Sequence, residues 1–199
     1  PTIPYFREET EPYEYDPERA RRLLREAGLG DGFEAELWYM PIPRPYMPDG
    51  KGIAQAMQRD LKEVGIDVRL VTREWGTYLE ETGRGAHDMC LLGWTGDNGD
   101  PDNFLNVLLS SKTATKTDAQ NVAYYKNPEL DRILERAAST IDEDERRRLY
   151  VRAQEIVHED APWAPIAYAE PPLGFQNSVR GYHPSPTGGE SFNSVKISG

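Results

Sequence analysis

An acidic, glycine-rich loop runs Gly93-Trp94-Thr95-Gly96-Asp97-Asn98-Gly99-Asp100-Pro101-Asp102, with Asn103 and Phe104 after it. Carboxyl groups beside one large aromatic suit a cationic guest. Asp100-Pro101 reads as a helix start, a carboxylate cap followed by proline at the first helical position. Asp102 then meets the positive end of that helix. Asp97, next to Asn98 and Gly99, can equally serve as a turn residue. Asp97 and Asp100 together have the composition of a metal or acid–base pair, although cap duty already accounts for Asp100. A second charged group of opposite sign lies upstream. Arg44 stands between Pro43 and Pro45, whose rings restrict the backbone on either side. A guanidinium presented by so stiff a turn suits a two-pronged grip on a carboxylate; it can also be an ordinary surface arginine.

These residues need elements to hold them, and the chain alternates helix and strand. Asp16-Pro17 opens a helix with Ala20, Leu23, Leu24 and Ala27 on one stripe, stopped by Gly28. Residues 33–40 alternate as a strand with Phe33, Ala35, Leu37 and Tyr39 on one face, leaving Trp38 out of phase and free to meet a helix or another lobe. A helix through Ile53, Ala54, Met57, Leu61 and Val64 leads to a strand over 66–71, so the pair is expected parallel with a right-handed crossover. A short helix with Trp75, Tyr78, Leu79 and Thr82 precedes a buried strand at Met89-Cys90-Leu91-Leu92, which feeds the acidic loop. Loops at the carboxyl ends of strands are where open α/β sheets hold ligands.

The second half is more helical. Phe104, Val107 and Leu108 form the expected buried face after Pro101, and the polar stretch 110–121 reads as a mobile loop. Asn127-Pro128 starts a helix, and Asp142 with Glu145 reads as a capping box for the next. Residues 161–168 look extended and buried, with Trp163 in the core; two short strands are expected at 179–182 and 192–197.

Composition limits the function. The chain has 199 residues, enough for one domain or one lobe of something larger, and its net charge of −11 disfavours nucleic acid. No apolar run reaches the length of a membrane span. The single Cys90 excludes an internal disulfide and a cysteine-built zinc site. His87, His158 and His183 are scattered, no nucleophile elbow occurs, and the glycines of the loop lack a phosphate-binding lysine. The opening residues, Pro1-Thr2-Ile3-Pro4, lack an initiator methionine or signal core and read as a chain entered partway through a longer protein.

Four segments in register carry a resemblance. Asp16-Pro17-Glu18 with Leu23-Leu24-Arg25-Glu26-Ala27-Gly28-Leu29, Trp38-Tyr39-Met40-Pro41 with Arg44-Pro45-Tyr46, Glu74-Trp75-Gly76-Thr77-Tyr78-Leu79, and the loop from Gly93 to Phe104 resemble solute-binding proteins of peptide ABC transporters, extracellular solute-binding family 5. The likeness runs from about Tyr15 to Ile197, and the acidic loop is similar to the dipeptide-binding branch. It implies an α/β lobe of the periplasmic-binding-protein type II kind, a mixed sheet flanked by helices. It further implies a hinge segment over residues 1–14 leading from an absent N-terminal lobe, a C-terminal ligand-binding lobe over 15–169, and a tail over 170–199 returning to the absent lobe.

By the same resemblance, Asp97 receives the amino terminus of a short peptide and Arg44 clamps its carboxyl terminus, at a separation that limits ligand length. Trp94 and Trp75 line side-chain pockets, and Tyr46 stands near Arg44. The expected protein is a periplasmic or extracytoplasmic carrier that closes around a dipeptide or short peptide and delivers it to the membrane permease of an ABC importer. It needs no catalytic residue, metal, cofactor, nucleic acid or membrane insertion of its own. Other solutes fit the same fold, among them oligopeptides, haem, nickel chelates and oligosaccharides; a metal-dependent hydrolase using the acidic loop is the alternative of a different class.

Overall fold

Three strands pair in parallel, in the order β2-β1-β3. β1 is Phe33–Trp38, β2 is Ile66–Val71 and β3 is Met89–Cys90. The computed structural model describes residues 3–170, 172–185 and 189–198. The first two residues of the expected hinge segment, and Pro171, residues 186–188 and Gly199 of the expected tail, lie outside the described residues.

β1 is the central strand. It pairs with β2 along its whole length, from Phe33 opposite Ile66 to Trp38 opposite Val71, and with β3 only at its end, Leu37 opposite Met89 and Trp38 opposite Cys90. Helix α2 (Gly50–Glu63) connects β1 to β2, and α3 (Trp75–Gly83) connects β2 to β3. The sheet is parallel throughout; antiparallel pairing is confined to a separate ribbon of β4 (Val179–Arg180) and β5 (Lys196–Ile197). Both ribbon strands fall inside the stretches expected from sequence and are shorter.

Local sequence explains most helix starts. Asp16, Asp49 and Asn127 each accept a hydrogen bond from a first-turn N–H of α1 (Pro17–Glu26), α2 and α5 (Pro128–Ser139). Asp142 does the same for α6 (Glu143–Asp160) through the Glu145 N–H. The expected reciprocal half of that box is absent among the described hydrogen bonds. Glu145 instead takes Arg136 and the Thr140 hydroxyl, because α5 and α6 pack side by side and offer a cation.

Tertiary packing overrides several expectations. The stripe on α1 covers no core: none of its residues is buried, and Leu23 is half exposed. Trp38, out of phase with its strand, is 2% exposed because Tyr78 of α3 and the Arg73 guanidinium cover that face. Helix α4 (Asp102–Leu109) buries Leu108 and Leu109, while Phe104 stays partly exposed and meets Trp163 edge-on, ring centroids 5.7 Å apart. Residues 161–168 are extended but largely exposed, Tyr168 at 69%, since no element among the described residues covers them. Trp163 is half-buried at the rim of a second core, built by Leu109, Leu130, Leu134, Ala137, Tyr150 and Ile156 between α4, α5 and α6.

The segment 110–121, expected as a mobile loop, is tied by hydrogen bonds near both its ends. It contains a 3-10 turn (Ser111–Thr113) and closes on Asn121, whose side chain has no exposure. Its amide donates to the Ser110 and Tyr125 carbonyls at 3.1 and 2.9 Å and accepts the Tyr125 N–H. A buried amide holding three backbone groups orders the chain as a short strand pair would. Replacing Asn121 with alanine strands those groups and is expected to lower the unfolding free energy by about 2–3 kcal/mol, read from urea denaturation, whereas Lys116→Ala in the same segment changes it little.

Candidate functional site

The sheet brings every site residue expected from sequence to one edge. Arg44 and Tyr46 follow β1, Trp75 follows β2, and Trp94 and Asp97 follow β3. With β1 central, Arg44 and Tyr46 lie between the other two groups.

The first group is built on a tight turn. Arg44 and Met47 exchange both backbone hydrogen bonds, 3.0 and 2.9 Å, and Met47 is buried, so the turn is closed and anchored. The guanidinium lies over the Trp75 ring, 4.4 Å from its centroid. Trp75 in turn stacks on Tyr78 at 5.8 Å and 12°. Glu74 fixes Trp75 at the head of α3 by accepting the Gly76 and Thr77 N–H groups. The Nε–H of Arg44 is buried and has no acceptor among the described residues. A desolvated cationic donor without an acceptor is costly, and a carboxylate arriving above Trp75 would remove that cost.

The second group is held by a residue that sequence reasoning missed. Asn103, in the first turn of α4, accepts the Asp97 N–H at 2.9 Å and the Trp94 indole N–H at 3.3 Å, and donates to the Asp97 carboxylate at 3.3 Å. Asp97 is exposed. It does not serve the turn, because Asn98 does: the Asn98 side chain accepts the Asp100 N–H at 2.9 Å. The Asp97 carboxylate therefore faces solvent with one neutral partner and no cation among the described residues.

Asp100 departs from the expected cap. Pro101 occupies the cap position of α4, and Asp100 accepts the Asp102 N–H while Arg146 of α6 reaches both its oxygens at 2.9 and 2.7 Å. Partial burial alone would raise the Asp100 pKa, but the Asp102 N–H and the Arg146 guanidinium outweigh it and hold the carboxyl below its ordinary value. Asp100 is thus neutralised as a strut between the loop and α6. Among the described residues no group of three or more His, Cys, Asp or Glu side chains is placed to hold a metal ion. Burial pushes the Cys90 thiol up to about 12, which keeps it protonated and unreactive.

Tyr46 joins the two groups. A Cβ built at Gly93 would overlap the Tyr46 ring, so the ring rests on the backbone where the acidic loop begins. Arg44 and Asp97 share no hydrogen bond or ion pair; their loops meet where Tyr46 rests on Gly93. Asn103 and Tyr78 fall inside segments that carry the resemblance, and Arg146 falls in none, but no spacing singles out any of the three as a support. The one local hint was a polar side chain in a first helical turn, where asparagine often bonds preceding backbone.

Comparison with known proteins shows the family and the fold. Residues 1–116 match the middle region of the bacterial extracellular solute-binding proteins, family 5. Heme-binding protein A of Haemophilus influenzae is 39% identical over 199 residues, covering 100% of this chain and 36% of that protein. The dipeptide-binding protein of Escherichia coli is 38% identical over 197 residues, covering 99% and 36%. Among solved structures, the periplasmic binding protein DppA of Helicobacter pylori in complex with the peptide STSA superposes with a TM-score of 0.84 at 38% identity, over 99% of this chain and 37% of that one. The dipeptide-binding protein of Pseudoalteromonas sp. SM9913 in complex with Met-Leu gives 0.83 at 34% identity, over 100% and 39%. The chain belongs to family 5 of the bacterial extracellular solute-binding proteins, with a fold of the periplasmic-binding-protein type II kind. It spans just over a third of the length of these relatives.

Two outcomes follow from the geometry. Gly93→Ala is expected to lower stability by about 1–3 kcal/mol through overpacking; adding Tyr46→Ala should relieve most of that loss, which a thermal-denaturation double-mutant cycle will show. For Asp100, the lowered folded pKa means its stabilisation is complete above the ordinary carboxyl value of about 4 and disappears as pH falls through the lowered value. Asp100→Asn should therefore flatten the acid side of a stability-versus-pH profile measured by urea midpoints.

Proposed function

We propose that this chain forms the ligand-binding lobe of a carrier for dipeptides and short peptides, which closes with a second lobe around its guest and passes it to the permease of an ABC importer. One observation carries the reading: the Arg44 guanidinium is held over Trp75 with a buried, unpartnered Nε–H. It calls for an anionic acceptor. Asp97, one strand away on the same sheet edge and free of turn duty, calls for a cation. A zwitterion of fixed length answers both. Trp94 and Trp75 supply flat walls that accept varied side chains by area burial without demanding a hydrogen bond. Closure strengthens both end contacts by excluding water. Binding and release complete the cycle, with no chemical step.

Residues 1–14 act as the hinge, 15–169 as the ligand-binding lobe, and 170–199 as the return to the second lobe. Support comes from the apolar surface these end segments expose, including Phe6, Leu173, Phe175 and Phe192, which a neighbouring lobe would cover. The place of action is outside the cytoplasmic membrane, periplasmic or extracytoplasmic, as in the family. No helix among the described residues is long and apolar enough to cross a membrane.

A second reading has one observation in its favour, the equal similarity to a haem-binding protein. Haem carries carboxylates and no ammonium, so it would answer Arg44 and leave Asp97 without a counter-charge. Calorimetric titration of the full-length protein with a dipeptide, its N-acetylated form, a tripeptide and hemin separates the two. The peptide reading expects acetylation to weaken binding at least about tenfold, the scale of a charged hydrogen bond. Equal affinity for the acetylated form removes Asp97 from the site, and tight binding of hemin alone replaces the ligand.

A further inference from the structure

Asn103 touches both halves of the acidic loop's chemistry, and both its oxygen and its nitrogen are engaged by them. Its carbonyl oxygen accepts from the Trp94 indole and from the Asp97 backbone N–H; its amide nitrogen donates to Asp97 Oδ2. It also fits close under Gly96, where an added Cβ would stand 3.4 Å from the Asn103 oxygen. The side chain is carried by α4, whose start is tied to α6 through Asp100 and Arg146, each distance under 3 Å. The loop is therefore fixed at two levels: Arg146 holds its base, and Asn103 holds its working residues.

We propose that Asn103 is the positioning residue of this site, orienting the Asp97 carboxylate toward an incoming ammonium and locking the Trp94 ring as the adjacent pocket wall, so that recognition of the ligand's charged end and of its first side chain are set by one amide. The proposal rests on the peptide-carrier reading for the ligand, though not for the geometry. An amide suits the task because it is neutral and two-sided. It orients a carboxylate by donating to one oxygen while leaving the other free. A lysine or arginine in its place would satisfy Asp97 and cancel the charge that the ligand needs. An aspartate in its place would keep both acceptor contacts and repel Asp97. With Oδ2 committed to Asn103, Oδ1 is the oxygen left to face the guest. The indole of Trp94 has its N–H bound on the Asn103 side, which leaves the ring face, and no polar edge, for the ligand's side chain.

The proposal separates positioning from mere packing. A residue that only stabilises the fold would weaken every ligand alike. One that aims Asp97 would weaken ligands that carry a free ammonium more than those that do not.

The test uses Asn103→Ala in the full-length protein, with Asn103→Asp as a second variant that preserves volume and both acceptor contacts. Free and N-acetylated forms of one dipeptide are titrated against each. The expected result for Asn103→Ala is about a tenfold loss of affinity for the free dipeptide, with a smaller loss for the acetylated form through the loosened Trp94 wall, so the preference for a free amine falls. Independently of any ligand, the Trp94 emission shifts in Asn103→Ala and stays put in Asn103→Asp, and the shift vanishes in a Trp94→Phe background. Equal losses for both dipeptide forms, or an unchanged emission, overturn the positioning role. If the unsubstituted protein binds neither dipeptide, the carrier reading fails by itself, and the emission series still decides whether Asn103 sets the loop.

Discussion

The hydroxyl of Tyr78 lies 2.7 Å from the Leu91 carbonyl and 3.1 Å from that of Trp38, at the point where β1 and β3 leave the sheet. The side chain has no exposure. Beyond the Leu91 N–H bond to Trp38, the ladder between these strands stops, and Tyr78 closes the gap left behind. The Trp38 carbonyl already accepts the Leu91 N–H, so the one hydroxyl proton counts most at the nearer Leu91 carbonyl, since a buried carbonyl without a partner is expensive. Burial raises its pKa far beyond any working pH, which keeps the proton available for donation. The same ring supports Trp75, and Trp75 supports Arg44. The position of the cationic donor is thus inherited from a core tyrosine through two stacked rings.

The acidic side is constructed differently. There the supports are polar and come from helices packed later in the chain: Asn103 from α4, Arg146 from α6. Each carboxylate in the loop is assigned by what reaches it. Asp100 meets a guanidinium and becomes structural, whereas Asp97 meets only a neutral amide and keeps its charge. Two residues of one type, three apart in sequence, differ in function because α6 passes beneath one of them. Tyr46 on Gly93 bridges the two constructions above the sheet, as Tyr78 does at the strand exits.

Some of this was legible in advance. Caps at Asp16, Asn127 and Asp142 depend on contacts within one turn, and the parallel β1–β2 pair follows from a strand, helix and strand of matching period. The placement of Arg44 and Asp97 at strand exits followed from the same periodicity. Other features depended on distant partners. Asn121 ordered a stretch whose composition suggested motion. The α1 stripe remained uncovered, although its pattern matched a core face. Glu145 turned from its expected cap contact to Arg136, because the neighbouring helix supplied a stronger partner.

The chain's pattern alone determined its alternating architecture, its acidity, and an acidic loop and a proline-flanked arginine at strand exits, since these depend on residue type and short-range geometry. Folding decided which carboxylate is paired with a guanidinium, which ring backs Arg44, and which amide bonds the loop. Those outcomes arise from side chains as many as 46 residues apart in sequence, as with Arg146 and Asp100; no local rule encodes them, because only packing of the helices against one another brings such groups within hydrogen-bond range.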